Sequence, residues 1–382
     1  MAVRNRVPQF PHVRILIACP AWETGHTRGW NPPSVFCLLS PVFCLLSSVS
    51  CLLYSFPMRI IIAGGSGFLG RALSSALSGE GHHIQILTRS ATRPPAPAPA
   101  ANRAAPGGTA SPAAQGGPGP IEYIAWGGDG SVGPWATPCS GADIVINLAG
   151  ENIGGARWSA ARKVSLARSR LLATRSLARF ISESRQPPAA LISASAIGIY
   201  GDRGDDTLTE EAPPGTGFLA ELSVAWEQEA SKARTGTTRV VLLRTGIVLD
   251  ADHGALARML LPFRLFAGGP FGSGRQFMSW IHRDDWVSLV QWAMEAPGLQ
   301  GPVNLTSPSP VSNAAFARAL AAALGRPALL PVPAAALRLV LGEMAGPLLL
   351  YSQRVVPARA LAGGFTFAHP ELDEALADLL VQ

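Results

Sequence analysis

Short apolar runs alternate with amphipathic segments of helical length from Arg59 onward, and this order predicts a parallel β-sheet covered by helices. The predicted strands are residues 59–63, 83–88, 143–148, 190–199 and 240–249. The predicted helices are residues 68–78, 158–184, 218–234, 284–294 and 312–324. A glycine-rich stretch at 268–274 and the helices at 284–294 and 312–324 indicate a smaller, less regular substrate-side region towards the C-terminus. Pro-punctuated apolar helices follow from Arg326. We therefore predict a doubly wound α/β domain over 58–325 and a helical module over 326–382.

Two segments interrupt this order. Residues 34–56 form an uncharged apolar run, long enough for a bilayer crossing of about 20 residues. The run is a near-perfect seven-residue repeat, and neither a basic n-region nor a small-residue cleavage site accompanies it. We therefore expect residues 1–57 to be disordered or to result from a start site set too early, with Met58 as the working start; a membrane anchor is the alternative. Residues 94–120 have almost no large apolar side chains, which predicts a disordered insertion.

Composition excludes several kinds of protein. The chain is 48% hydrophobic and only 15% charged, which is ample for a buried core. Its 31 basic and 25 acidic residues are spread along the chain, so we expect a small-molecule partner and no nucleic acid. Cys139 is the sole cysteine beyond residue 51, and no His/Cys cluster has zinc spacing. We predict a cytoplasmic protein with neither a disulfide framework nor a metal site.

A glycine-rich motif follows the first predicted strand and opens the first predicted helix. It reads GGSGFLG over residues 64–70. In this context Gly64 permits a tight turn, Gly67 lets the backbone approach a pyrophosphate, and Gly70 lets the helix pack on the strand. The motif predicts a Rossmann-type dinucleotide site, to which Phe68 and Leu69 also belong. A glycine-rich turn without a ligand is the alternative.

The end of the second predicted strand indicates which dinucleotide binds. Sites that prefer NAD usually carry a carboxylate there, which binds the ribose hydroxyls. Here the strand ends at Thr88 and Arg89, with Arg93 close behind. A guanidinium can pair with a 2′-phosphate, so the sequence favours NADP over NAD. The alternative is that Arg89 is a solvated loop charge.

Small residues follow the strand predicted at 143–148. Asn147, Leu148, Ala149 and Gly150 leave room for a cofactor ribose across the sheet edge. Arg170 lies on the next predicted helix and could face the cofactor, although a lone arginine is more often a solvated helix charge.

From residue 58 to the C-terminus the chain resembles the extended short-chain dehydrogenase/reductases, within them the NAD-dependent epimerase/dehydratase-like branch. The resemblance rests on residues 64–70 (GGSGFLG), 147–153 (NLAGENI), 193–201 (SASAIGIYG), 244–249 (RTGIVL), 261–264 (LPFR), 268–270 (GGP) and 280–284 (WIHRD). It implies a C-terminal module from about residue 326 that is typical of this branch. It also implies dinucleotide contacts from Thr88, Arg89, Leu148, Ala149, Arg170 and Val248.

The chain departs from this family at the catalytic dyad. The family uses a Tyr as acid/base, with a Lys four residues later that lowers the pKa of the Tyr. Here the corresponding helix begins with Phe218 and carries Leu222, and no Tyr-x-x-x-Lys is present. Ser195, Tyr200 and Glu221 are candidate substitutes; for Tyr200 a packing role at the strand end is the stronger alternative.

Arg275 on the glycine-rich arm and His282 before the next helix are candidate substrate-side residues. Arg275 could hold a substrate anion. For His282 with Asp284 or Asp285, a structural hydrogen bond or a helix cap by Asp284 is the alternative.

These features favour an NADP-binding oxidoreductase or epimerase-like enzyme that acts on an unidentified small molecule. A non-catalytic NADP-binding redox sensor or scaffold is the alternative, favoured by the missing dyad. Epimerisation of a nucleotide sugar is a third hypothesis.

Overall fold

The computed structural model describes residues 57–89, 117–296, 298–328 and 330–380. The predictions for residues 1–56, for Arg93 and for most of the 94–120 insertion lie outside these ranges. The strands are β1 Arg59–Ala63, β2 His83–Thr88, β3 Ile121–Ala125, β4 Ile144–Asn147, β5 Ala190–Ala196, β6 Thr207–Leu208, β7 Arg239–Thr245, β8 Ile247–Leu249, β9 Phe277–Met278, β10 Trp280–His282, β11 Gly301–Leu305, β12 Val311–Ser312 and β13 Arg354–Val355. The α-helices are α1 Phe68–Gly79, α2 Ala136–Cys139, α3 Ala160–Glu183, α4 Phe218–Ser231, α5 Gly254–Arg264, α6 Arg283–Glu295, α7 Asn313–Ala323, α8 Ala334–Leu341, α9 Ala358–Ala362 and α10 Leu372–Leu380.

Seven parallel strands form the central sheet in the order β11-β7-β5-β4-β1-β2-β3. The order reverses at β1, which pairs with β2 on one side and β4 on the other. Open α/β sheets bind ligands beyond the carboxyl ends of the strands at such a switch point. The predicted Rossmann-type doubly wound sheet is therefore confirmed, and its topology places the candidate site after β1 and β4.

Alternate residues of each strand pack on opposite faces of the sheet, as the pleat requires. In β1, Ile60 and Ile62 pack with helices α1 and α6 on one face. Ile61 and Ala63 pack with α3 and α4 on the other face. Because both faces are covered, residues 60–63 of β1 are continuously apolar rather than alternating.

Two predicted strands end earlier than expected. The prediction of one strand over 240–249 is wrong, because the chain breaks at Gly246 and β8 pairs with β10 outside the main sheet. A Cβ on Gly246 would lie 2.6 Å from the Ser279 carbonyl oxygen and 2.8 Å from the Thr306 methyl group. The strand predicted to reach residue 199 ends at Ala196 and continues as a single 3₁₀ turn.

A separate apolar cluster holds the C-terminal region together, and it joins α5, α7 and α10 around Trp280. The segment after α8 returns to the Rossmann part, where β13 pairs in parallel with β6. Within the described ranges, no helix combines the length and the apolar character that a membrane crossing requires.

Candidate active site

The three motif glycines meet different demands. Gly64 has φ +81°, and a Cβ there would lie 2.8 Å from the Leu148 carbonyl carbon. A Cβ on Gly70 would lie 2.3 Å from the Gly64 carbonyl oxygen. Folding alone therefore excludes side chains at both positions.

Gly67 is different, because the fold leaves it room. Its φ of −75° suits any residue, and the nearest atom to a built Cβ is the Gly64 carbonyl oxygen at 3.3 Å. Gly67 is the N-cap of α1, and no side chain caps the amides of that first turn. The N-terminal amides of a helix attract anions. A bare backbone at an uncapped helix N-terminus fits the pyrophosphate of a dinucleotide.

The loop after β8 lies against this cradle. The ring of His253 stacks on Phe68, with centroids 5.0 Å apart and planes 6° from parallel. Arg71 also reaches His253, with 3.3 Å between side-chain nitrogens. Asp250 accepts the His253 amide at 2.8 Å and holds the loop. This contact brings Val248, in β8, to the same edge as the glycine loop; nothing in the sequence pattern indicated His253.

The end of β2 carries the predicted cofactor-selecting residues. Thr88 accepts the Trp126 amide through its carbonyl oxygen at 2.8 Å, which fixes the strand end. Arg89 follows as an exposed residue. Within the described part of the chain, no carboxylate lies within ion-pair distance of Arg89. With respect to these residues, the Arg89 guanidinium is available to an anionic ligand.

Asn147 shapes the end of β4. It is fully buried, and its amide nitrogen donates to Thr174 at 2.8 Å. Its side-chain oxygen accepts the Ala149 amide at 3.2 Å. The loop through Leu148 and Ala149 is therefore set at the switch point, next to Gly64.

Arg170 packs against that loop. It donates to the carbonyl oxygens of Glu151 at 3.0 Å and Leu166 at 3.2 Å, and it lies 5.2 Å from the Trp226 ring centroid. Burial lowers the pKa of Arg170 to about 10, and nearby Glu151 only partly offsets this. The buried cation has hydrogen bonds to neutral carbonyls, so an anion bound at this edge would stabilise its charge.

Two of the three catalytic candidates, Ser195 and Tyr200, belong to one largely buried hydrogen-bond network. The Ser195 hydroxyl donates to Glu227 at 2.7 Å, and Glu227 forms a bidentate pair with Arg244 at 2.8 and 2.9 Å. Arg244 also donates to the Tyr200 hydroxyl at 3.0 Å, and that hydroxyl donates to Asn304 at 2.7 Å. Burial raises the pKa of the Tyr200 phenol, and Arg244 opposes this. Burial also opposes the Arg244 charge, but the Glu227 hydrogen bonds raise the pKa of Arg244 overall.

In this network both hydroxyls are used in hydrogen bonds within the protein. Tyr200 is 0% exposed and Ser195 4% exposed, so neither hydroxyl is open to a bound substrate. Glu221, the third candidate, lies exposed in the first turn of α4.

Phe218 is the first residue of α4, the helix on which the sequence comparison expected the Tyr-x-x-x-Lys dyad. Its ring packs edge-on against Trp158 at 5.1 Å, and the Lys163 ammonium lies 5.4 Å from its centroid. Leu222, four residues later, is buried. No Tyr-x-x-x-Lys pair is present on α4.

A cavity of about 440 Å³ opens beside Phe218, between the end of β5 and the C-terminal module. A cavity of this size can hold a small organic molecule. The residues that line it are Gly198, Gly201, Thr216, Gly217, Phe218, Leu219, Ala220, Arg338, Gly342, Glu343, Gly346, Pro347, Tyr351 and Gln353. Half of these lining residues lie beyond residue 330, in the C-terminal helical module, for which the sequence predicted no function.

His282 faces the C-terminal segment. It is fully buried, and its Nδ1 accepts the Asp284 amide at 3.1 Å. This is the structural hydrogen bond that was one of the expectations, and it makes His282, and not Asp284, the N-cap of α6. The His369 ring lies 3.9 Å away, centroid to centroid, and Asp378 lies 3.3 Å from Nε2. Burial, followed by the neighbouring His369, lowers the pKa of His282. With Nδ1 engaged by the Asp284 amide, Nε2 is the ring nitrogen that faces Asp378, and His282, His369 and Asp378 each place one potential ligand atom within 4.8 Å of the others.

Asp285 completes this attachment of the C-terminal segment. Its carboxylate accepts the amides of Ala368 at 2.7 Å and His369 at 2.9 Å. Arg275, the other predicted substrate-side residue, is exposed on the glycine-rich arm. The substrate roles of Arg275 and His282 stay predictions.

The sheet, its switch point and the glycine cradle define a dinucleotide-binding protein of the Rossmann type. The chain belongs to the NAD dependent epimerase/dehydratase family, whose profile matches residues 60–305. A second profile, a domain of unknown function (DUF1731), matches residues 332–379. The predicted family is confirmed.

Several relatives align along nearly their whole length. Epimerase family protein SDR39U1 of Mus musculus is 39% identical over 85% of this chain and 100% of its own. Epimerase family protein YfhF of Bacillus subtilis is 36% identical over 85% of this chain and 98% of its own. The crystal structure of human SDR39U1 with NADPH has a TM-score of 0.72 and 34% identity, covering 85% of this chain and 100% of that one.

Proposed function

We propose that this protein is an NADP(H)-dependent oxidoreductase that acts on a small carbonyl compound or the corresponding alcohol. The observation that carries the proposal is made at Gly67. The fold would accept a side chain there, so the glycine is not needed for folding and leaves space for a ligand. Space at an uncapped helix N-terminus is what a pyrophosphate needs. The NADPH in the crystal structure of human SDR39U1 supports the same cofactor class.

Arg89 supports the choice of NADP(H) over NAD(H). It follows β2, where a carboxylate would repel a 2′-phosphate, and it has no ion-pair partner among the described residues. Leu148, Ala149 and Val248 line the same sheet edge, and Arg170 adds a buried cation there. When bound, NADPH supplies a hydride to a carbonyl carbon.

The cavity beside Phe218 is the proposed substrate site. Its walls combine apolar side chains, such as Phe218 and Leu219, with the polar Thr216, Gln353 and Arg338. Such a lining suits a small molecule with a few polar groups. We propose a small-molecule partner and no nucleic acid; a cytoplasmic location also stays a proposal.

Equilibrium titration with NADPH and NADH, followed by a screen of carbonyl compounds for NADPH consumption, tests this function. We expect NADPH to bind at least about tenfold more tightly than NADH, a difference of about 1.4 kcal/mol. Arg89→Asp should abolish that preference, whereas Arg275→Asp, which changes another exposed arginine, should leave it intact. Equal binding of both dinucleotides, or no consumption with any carbonyl, would overturn the proposal.

A non-catalytic redox sensor or scaffold is the second candidate, because α4 carries no Tyr-x-x-x-Lys dyad. It predicts tight NADPH binding with no consumption by any carbonyl. Epimerisation of a nucleotide sugar is a third candidate. It is supported by a nucleoside-diphosphate sugar epimerase structure from Corynebacterium glutamicum, 31% identical with a TM-score of 0.65 over 88% of this chain and 61% of that one. UDP-sugars that neither bind nor shift the melting temperature would exclude it.

A further inference from the structure

The segment around Tyr351 is fastened to the chain that leaves β5. The Ser352 amide donates to the Asp202 carboxylate at 2.9 Å. The Gln353 side chain donates to the carbonyl oxygens of Ile197 at 3.1 Å and Gly201 at 2.9 Å. These bonds join residues about 150 positions apart in sequence and fix the C-terminal module at the end of β5.

Tyr351 lies within this fastened segment and lines the cavity together with Phe218. Its amide donates to the Gly346 carbonyl oxygen at 2.9 Å. Its ring lies on Gly346, where a Cβ would come within 3.2 Å of a ring carbon. Tyr351 is half-buried, and its hydroxyl has no hydrogen-bond partner among the described residues. Hydrogen bonds therefore fix the backbone at Tyr351, and the Tyr351 hydroxyl is available to a ligand in the cavity.

The other groups near the cavity that could donate a proton either have partners within the protein or are weak acids. The hydroxyls of Ser195 and Tyr200 are buried in the Glu227–Arg244 network. Glu343, on the cavity wall, is paired with Lys163. Thr216 is exposed, and an aliphatic hydroxyl is a far weaker acid than a phenol.

We propose that Tyr351 is the proton donor of the carbonyl reduction, supplied from the C-terminal module in place of the missing tyrosine on α4. This inference rests on the proposed oxidoreductase function. As the carbonyl carbon receives a hydride from NADPH, the carbonyl π pair takes the proton of the Tyr351 O–H. The products are an alcohol, NADP⁺ and a Tyr351 phenolate, which solvent reprotonates. The reverse reaction uses the phenolate as base.

Tyr351→Phe tests the proposal, because it removes the hydroxyl and keeps the ring that packs on Gly346. With the best carbonyl substrate of the screen, we expect kcat to fall at least about a hundredfold, the lower range for a general acid. The dissociation constant for NADPH and the melting temperature should stay at wild-type values. Tyr123→Phe, which removes a tyrosine hydroxyl from the edge strand β3, should keep kcat within about threefold.

A fluorinated tyrosine incorporated at position 351 gives a second readout, because fluorine lowers the pKa of the phenol without removing it. The pH profile of kcat should then shift to lower pH, which a purely structural residue would not cause. Wild-type kcat in Tyr351→Phe, or an unmoved profile in the fluorinated protein, would overturn the role of Tyr351 and leave the oxidoreductase function standing. A wild-type protein that binds NADPH but consumes none with any carbonyl would overturn both.

Discussion

Replacing Gly67 by alanine should separate cofactor binding from folding. The new methyl group would meet only the Gly64 carbonyl oxygen, at 3.3 Å, and the φ of −75° suits alanine. Alanine is a poorer N-cap than glycine by roughly 0.5–1 kcal/mol, and it reduces the entropy of the unfolded chain by about the same amount. We therefore expect the free energy of unfolding to change by less than about 1 kcal/mol.

NADPH binding should respond far more strongly to the same change. The methyl group would occupy the space at the helix N-terminus where a phosphate must approach the backbone. Losing one hydrogen bond to a charged group costs about 1.5–3 kcal/mol, which weakens binding between about tenfold and about a hundredfold. Fluorescence titration with NADPH, beside urea unfolding of the same protein, measures both quantities.

Gly70→Ala is the matched control. Its methyl group would lie 2.3 Å from the Gly64 carbonyl oxygen and 2.6 Å from the Gly65 Cα, both backbone atoms that cannot move aside. Overpacking of this kind costs about 1–3 kcal/mol or more, so this variant should lose stability. The reasoning is refuted if Gly67→Ala binds NADPH as tightly as the wild type, or is as unstable as Gly70→Ala.

Three further predictions concern other parts of the structure. Arg244→Met should lower the free energy of unfolding by about 3 kcal/mol in urea unfolding, the lower end for a buried ion pair, because it leaves the Glu227 carboxylate, with a side chain 12% exposed, without its partner. A loss below about 1 kcal/mol would contradict the network. Asp285→Asn should release the segment at Ala368, seen as faster amide hydrogen exchange there, while Asp284→Asn should not. Because burial lowers the pKa of His282 in the folded state, the unfolded chain takes up this proton first; the stability it contributes is present above about pH 6.5 and is lost as the pH falls below that value. His282→Asn should flatten this part of the stability profile, and an unchanged profile would exclude His282 as its source.

The glycine loop, the apolar strands around it and the helix that follows could be predicted because their determinants are local. Gly64, Gly67 and Gly70 stand at fixed offsets, and residues 60–63 are apolar throughout because both sheet faces are covered. The break at Gly246 could not be predicted, since it depends on backbone and side chains contributed by Ser279 and Thr306.

The candidate site shows the same division. The cofactor edge follows from the order of the strands, whereas the engagement of Tyr200 depends on Asn304, 104 positions away. The sequence did not indicate Tyr351 as a site residue. It reaches the cavity only because Gln353 holds that segment beside the end of β5 by a hydrogen bond to Gly201. His253 was missed for a similar reason, as it meets Phe68 through tertiary packing alone.

A crystal structure of the protein grown with NADPH tests the central claim most directly. The account predicts the pyrophosphate against the amides of Phe68 and Leu69, the 2′-phosphate at Arg89, and the nicotinamide facing the cavity that Phe218 and Tyr351 line. A dinucleotide bound with its phosphates away from Gly67, or with its nicotinamide turned away from that cavity, would contradict the account.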